Sequence, residues 1–453
     1  MLPLVAACIL GMFNSFSPTL LSGFEQMQAN PIDTRFNHYV LEHTFRCIKP
    51  GPYIGTFWSP PFFYPAEHTL AYSDNLLGAA PLYWVLRLPF APSMAFSLWM
   101  IGCCVLCFAT FAAFARRLKV HPFLIAAGAM LFAFGLSRSR LINHQQMLPQ
   151  FATPLAVWAA WEWTVRPTLA KIAAVLGCIF VQFLCGIYLG WFLVLSLVPF
   201  IAVLLGSSSS RKNLTTFIRA RWIPVSVLVA ISAAVSVAVF WPYIRQQRQS
   251  GGYAWSEVRD FLPTLRTFLP PWQLQDSQAN NLEFSMTVHP ALPLGGIAFF
   301  AALVATLPML RKRFRSSDNA LALAMAGIVT AIVLILLSVK WPNGFSPWRA
   351  VYSVAPGARG IRAVSRIDLV ICFYLTLTVM IGLDRLIRRI SSVSKQHAVA
   401  VAIAIVLCAE QWVTGLPSFP TLPWETDVQE LSDLMSAGGD VAYVEYYAPR
   451  NHA

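Results

Sequence analysis

The chain has 453 residues; 57% are hydrophobic and only 12% are charged, against about a quarter charged in an ordinary soluble domain. A mean hydropathy of +0.59, carried by repeated apolar runs of roughly 20 residues, excludes a soluble globular protein and requires a polytopic membrane protein. Backbone polar groups in lipid must be satisfied within the chain, and the runs are continuous, not alternating, so the fold class is all-α.

Eleven spans are read at 3–21, 93–115, 122–137, 148–165, 172–187, 189–206, 222–241, 289–310, 320–339, 367–384 and 397–413. They make residues 1–413 a transmembrane domain, with a first loop at 22–92. Residues 414–453 form a short C-terminal segment, either truncated or simply small. The first run lacks a basic flank and is interrupted by Asn14, Ser15, Ser17 and Pro18, so a retained helix is favoured over a cleaved signal. At Gly186-Ile187-Tyr188 either a kink or a turn fits.

Charge orients the spans. One set of loops holds 17 of the 33 basic residues against three acids, Glu162, Asp318 and Asp384. These loops are short, so the positive-inside rule makes them and the N-terminus cytoplasmic. The 22–92, 243–288 and 340–366 loops and the C-terminus then face outward. The net charge of +13 reflects this topology and not nucleic-acid binding. Of the nine cysteines all but Cys47 lie in or beside spans, with no metal or disulfide spacing.

The outward loops carry the unusual chemistry. Between residues 30 and 90 the chain is too polar to span and too aromatic for an ordinary loop. After Asp33, the residues Arg35, His38, Glu42, Arg46 and Lys49 share a face at helical spacing, which predicts a helix lying in the membrane interface. Three prolines keep FWSPPFFYP (57–65) from regular helix. Ser73-Asp74 is placed to cap a second interfacial helix through Leu82, Tyr83 and Trp84. The third span ends in SRSRLINHQQ. The 340–366 loop carries Arg359, Arg362 and Arg366, the last two spaced to share a helical face. The tail begins Pro-rich at 416–424, then reads as helix near 427–435 and strand near 441–446.

The order of these motifs resembles the GT-C glycosyltransferase superfamily of bacterial polytopic proteins. An early loop Asp is followed by FWSPPFFYP and HTLAYSDNLLG, a helix ending in FARRL, and another ending in LSRSRLINHQQ. The likeness is best over 28–165 and continues through WSEVRDFLPTL, NLEFSMTVHP and ARGIRAVSR. It implies sugar transfer from a polyprenyl-phosphate donor at the outer face of the inner membrane. The catalytic acid of the first loop falls on Asp33, and Asp74 is the second matching acid. The chain departs from larger members in lacking a sizeable C-terminal domain, which bears on acceptor recognition.

Each candidate also has a plainer role. Asp33 is placed as a base, kept ionised by nearby Arg35, or else caps its helix or pairs with that arginine. Arg138, Arg140, Arg359, Arg362 and Arg366 suit a phosphate clamp, or else snorkel at span ends. His144 and His289, each beside a span end, suit hydrogen bonding to phosphate or sugar, or interfacial packing. A divalent cation, magnesium or manganese, would need converging oxygens, for which Asp33, Glu67 and Asp74 are the candidates. Tyr253 and Trp255 stack on sugars or anchor their loop. Two other functions remain open: a transporter or flippase for a lipid-linked or anionic solute, and a non-catalytic membrane subunit. Membrane lipid is the expected surrounding, and the sequence carries no signal of oligomeric state.

Overall fold

The computed structural model describes residues 1–265 (30, 52 and 54 excepted), 319–413 and 416–436, and all their side chains except those of 32, 140 and 424. The expected span at 289–310, His289, the strand-like 441–446 and the Arg140 side chain lie outside the described residues.

The chain folds as a helical membrane protein. Among the described residues, eight helices are long and apolar enough to cross a bilayer: Leu2–Leu21, Pro92–Arg117, Pro122–Ser139, Ile187–Leu204, Ser208–Ser250, Asn319–Ser338, Val364–Ile387 and Val393–Glu410. Prolines mark several starts, because a missing N–H costs nothing in a first turn. In chain order the elements begin with α1 (Leu2–Leu21), β1 (Gln26–Gln28), α2 (Pro31–Ile48) and α3 (Ala80–Leu86). There follow α4 (Pro92–Arg117), α5 (Pro122–Phe134), α6 (Leu136–Arg140), α7 (Ala152–Val165), α8 (Leu169–Cys185), α9 (Ile187–Leu204), α10 (Ser208–Ser250) and α11 (Trp255–Asp260). The rest are α12 (Asn319–Ser338), α13 (Trp348–Val354), α14 (Asp368–Ile387), α15 (Val393–Glu410), β2 (Ser418–Pro420) and α16 (Thr421–Ser436).

The core is formed by α4, α5, α9, α12 and α14. α14 is the most enclosed candidate span, with Phe373 and Tyr374 fully buried against Phe111, Phe132 and Phe200. α10 is the opposite case. Its apolar residues, among them Trp222, Ile223, Val227 and Ile231, are exposed, and they form a surface that lipid would cover. It kinks at Arg221, ahead of Pro224.

Polar contacts define the two ends of the bundle. At the end rich in basic loops, Glu162 accepts from Arg117 at 3.2 Å and pairs with Lys171 at 3.6 Å. Asp384 there accepts from Arg388 and from the His121 amide, at 2.6 and 2.8 Å. At the opposite end β1 and β2 form an antiparallel pair, Gln26 facing Pro420, which joins the chain after α1 to the chain after α15.

The structure decides the open choice at Gly186 and corrects several other local expectations. Gly186 is a turn: α8 and α9 pack side by side, so closely that a Cβ on Gly190 would lie 2.5 Å from the Phe183 ring. The polar face of α2 is only partly solvated: Arg35, Arg46 and Lys49 are exposed. His38 is buried, and Glu42 accepts from Tyr83 and Arg87, both at 2.9 Å, while Phe36 and Ile48 are exposed. Asp74 does not cap α3, whose N-cap is Ala79. The arginines of the 340–366 loop do not share one helix. Residues 358–367 form two short 3-10 turns with an extended break between them. The Pro-rich tail contains β2, a strand that its composition conceals, since proline removes a ladder donor.

Candidate functional site

The site begins with a break in a span. α5 stops at Gly135, which adopts an extended conformation, and the five-residue α6 continues at an angle. A buried polar knot holds the break open. The Asn14 amide donates to the carbonyls of Phe134 and Gln411, and the Leu136 N–H donates to Gln411 Oε1 at 3.0 Å. These groups would otherwise be orphaned helix ends.

Arg138 then folds the chain back. It is 2% exposed, and its guanidinium donates to the carbonyls of Phe132, Met147 and Leu148 and to Gln150 Oε1, at 2.7–3.2 Å. With these four acceptors fixed inside the protein, Arg138 is not a phosphate clamp. It is the post around which residues 141–150 turn.

That turn delivers three consecutive side chains to the start of α2. His144 Nδ1 donates to Asp33 Oδ2 at 2.5 Å. Gln145 Nε2 donates to Thr34 Oγ1 at 2.7 Å, and Asn37 Nδ2 donates to the Gln145 and Gln146 side chains at 2.9 and 3.0 Å. Asp33 thus sits in the first turn of α2, where the helix dipole favours an anion. Its side chain remains 35% exposed, open to a ligand.

Burial raises the Asp33 pKa, but the His144 hydrogen bond and charge, the Arg366 charge and Gln146 outweigh it, so the carboxyl falls below its usual value. The groups that lower it are His144, Arg366 and Gln146; the adjacent Arg35 side chain is exposed.

Arg366 comes from the far end of the sequence, on the 3-10 turn Val364–Ile367 ahead of α14. Its guanidinium lies 5.0 Å from the centre of the Tyr188 ring. Its Nε is buried and finds no acceptor among the described residues. Its charge also lowers the pKa of Asp74, so both acids lie within its field. Arg362 is exposed above the Tyr253 and Phe261 rings, at 5.2 and 5.1 Å, and Arg359 above Tyr352 at 5.5 Å. Tyr253 and Trp255 are thus occupied in the joint between the two loops: Trp255 packs on Tyr352, and the Tyr352 hydroxyl donates to the Tyr253 carbonyl at 3.0 Å.

Asp74 is enclosed. Its Oδ1 accepts from the Ile187 N–H at 2.6 Å, at the first turn of α9. Burial pushes its pKa up to about 6, against the opposing Ile187 hydrogen bond and Arg366 charge. Glu67 is exposed, and among the described residues no three His, Cys, Asp or Glu side chains gather as metal ligands. The candidate trio Asp33, Glu67 and Asp74 does not gather among the described residues.

Of the sequence candidates, the fold joins Asp33 to His144 within the field of Arg366, keeps Arg362 exposed four residues before Arg366 in the same loop, and diverts Arg138 and Asp74 to internal bonds. The sequence reading missed Asn37, Gln145, Gln146 and Tyr188. Their signal is faint, since a polar residue at a span end is usually unremarkable. Neither a protein-family model nor a curated protein matches the chain.

Proposed function

We propose that the protein is a GT-C-type inverting glycosyltransferase, using a polyprenyl-phosphate sugar at the outer face of a bacterial inner membrane. Three groups from distant parts of the chain would perform the transfer. The Asp33–His144 pair accepts the proton of the acceptor hydroxyl. Arg366, with Arg362 of the same loop, receives the departing phosphate, whose oxygens match a guanidinium. The sugar–phosphate bond breaks as the new glycosidic bond forms at the opposite face of the anomeric carbon.

The observation that carries this reading is the convergence of Asp33, His144 and Arg366, with a buried Arg366 Nε that lacks an acceptor among the described residues. Buried donors normally have partners, and an anionic ligand would supply one. The orientation follows from charge: the basic end of the bundle is cytoplasmic and the end with Asp33 is outward. The eleven spans expected from the sequence, 289–310 among them, would give that orientation. Incubating protein-containing membranes with mass-tagged polyprenyl-phosphate sugars tests the proposal. Transfer by wild type and its loss in both Asp33→Asn and Arg366→Ala are expected. Equal transfer by wild type and the Asp33 variant would remove the proposed base.

A transporter of an anionic solute draws on one observation, the buried Asp74 at the α8–α9 break. Broken helices and intramembrane acids mark transport paths. Flipping or uptake in proteoliposomes without a covalent product would select this second reading.

A further inference from the structure

We infer that Asp74 is a positioning residue, which sets Arg366 against Asp33 and His144 through the first turn of α9; the inference rests on the proposed site. The connection takes three short links. Asp74 Oδ1 accepts from the Ile187 N–H at 2.6 Å. The next residue, Tyr188, accepts at its hydroxyl from the Arg362 and Ala363 N–H groups, at 3.1 and 3.4 Å. The Tyr188 ring then lies beneath the Arg366 guanidinium.

The same contacts close into a ring. A Cβ on Gly186 would lie 3.0 Å from the Gln146 carbonyl and 3.7 Å from Asp74 Oδ1, so the α8–α9 turn is wedged between them. Gln146 in turn bonds Asn37, one turn beyond Asp33 on α2. The base and the guanidinium are therefore held by opposite sides of one closed circuit, of which Asp74 is a member.

Asp74 has an independent anchor. The Tyr243 hydroxyl donates to the Ser73 carbonyl at 2.6 Å and accepts from Asn75 Nδ2 at 3.1 Å. The Leu77 N–H donates to Asn75 Oδ1 at 2.9 Å. α10 thus holds the 73–77 segment from outside, and Asp74 transmits that fixed position to α9. Enclosure by Gly186 and the Ile187 amide leaves it no access to a substrate, which separates it from Asp33.

Hydrogen exchange by mass spectrometry on the full chain in lipid nanodiscs tests the connection without any substrate. Asp74→Ala removes the acceptor. It should speed exchange about tenfold in peptides covering both 186–188 and 361–366, the order expected for losing one charge-assisted hydrogen bond. Asp74→Asn keeps an acceptor oxygen and should exchange no faster than wild type in either. Tyr188→Phe should release 361–366 alone, and it keeps the test decisive if the alanine variant does not fold. Unchanged exchange at 361–366 in Tyr188→Phe, or in a folded Asp74→Ala protein, would overturn the inference. So would an asparagine variant that behaves like alanine.

In the transfer assay, Asp74→Ala should raise KM for the lipid donor and Asp74→Asn should restore it. Loss in both would make the Asp74 charge itself essential and overturn positioning. Coupled exchange with no transfer by wild type would sink the glycosyltransferase reading and leave the positioning intact.

Discussion

Asp33 and His144 are 111 residues apart in sequence, and the Oδ2–Nδ1 bond between them is 2.5 Å long. The bond exists because Arg138 folds the 141–150 turn onto α2. It couples an acid at the start of a helix to an imidazole, the pair proposed above as the base. A carboxylate acceptor also fixes the imidazole with its proton on Nδ1.

Substituting either partner should therefore impair transfer. Asp33→Asn and His144→Gln should each lower kcat by about 100-fold or more, the range for losing a general base. The double variant should be little worse than the poorer single one, because the residues act as a unit. Rates from the mass-tagged transfer assay check this; losses that multiply would show two independent roles.

Arg138 should behave as a structural residue. Arg138→Met leaves three carbonyls and one amide oxygen in need of donors, at about 1–3 kcal/mol for each that stays unsatisfied. Melting of the detergent-purified variant should show a large loss of stability. A variant that melts like wild type but loses transfer would return Arg138 to the ligand site.

Asp74 should make stability depend on pH. Its folded pKa is raised to about 6 from 3.8, so the unfolded chain releases this proton first as pH rises. The favourable contribution is full below about pH 4 and is lost as pH climbs through 6, where ionisation costs about 3 kcal/mol. Asp74→Asn avoids that cost. Its Tm should exceed that of wild type by a few degrees at pH 8, and the gap should close toward pH 4. Parallel melting curves across this range would contradict the assignment.

Two glycines near the turn should respond oppositely. A Cβ on Gly78 would lie 2.7 Å from the Cys185 amide and the Val181 carbonyl, whereas Gly177 on α8 has open space. Gly78→Ala should cost roughly 1–3 kcal/mol through overpacking against backbone. Gly177→Ala should be neutral or stabilising by up to about 1 kcal/mol, as alanine is the better helix former. Thermal melting of the two variants side by side measures both.

How far the site was legible differs from residue to residue. Asp33 stood out as the early acid of the first outward loop, the position that the GT-C resemblance singles out. Arg138, Arg362 and Arg366 looked alike, each an arginine close to a span end. What separates them is whether neighbouring carbonyls or aromatic rings meet the guanidinium, and those neighbours come from other helices. Glu42 misled for the same reason. Its helical spacing is that of a polar face, but Tyr83 and Arg87 lie on α3 and just past its end, and they hold Glu42 against the protein while Arg35 and Arg46 stay exposed.

By itself, the sequence determined the membrane class, the all-α architecture and most helix positions. Those follow from the length and continuity of apolar runs, because hydrocarbon tolerates only backbone that satisfies its own hydrogen bonds. Only the tertiary structure decided which polar residues meet. Gln411 reaches Leu136, His144 reaches Asp33, and Tyr188 reaches Arg362, across sequence distances that carry no local signal. The physical reason is that a hydrogen bond depends on ångström-scale placement of two side chains, and packing of distant helices sets that placement.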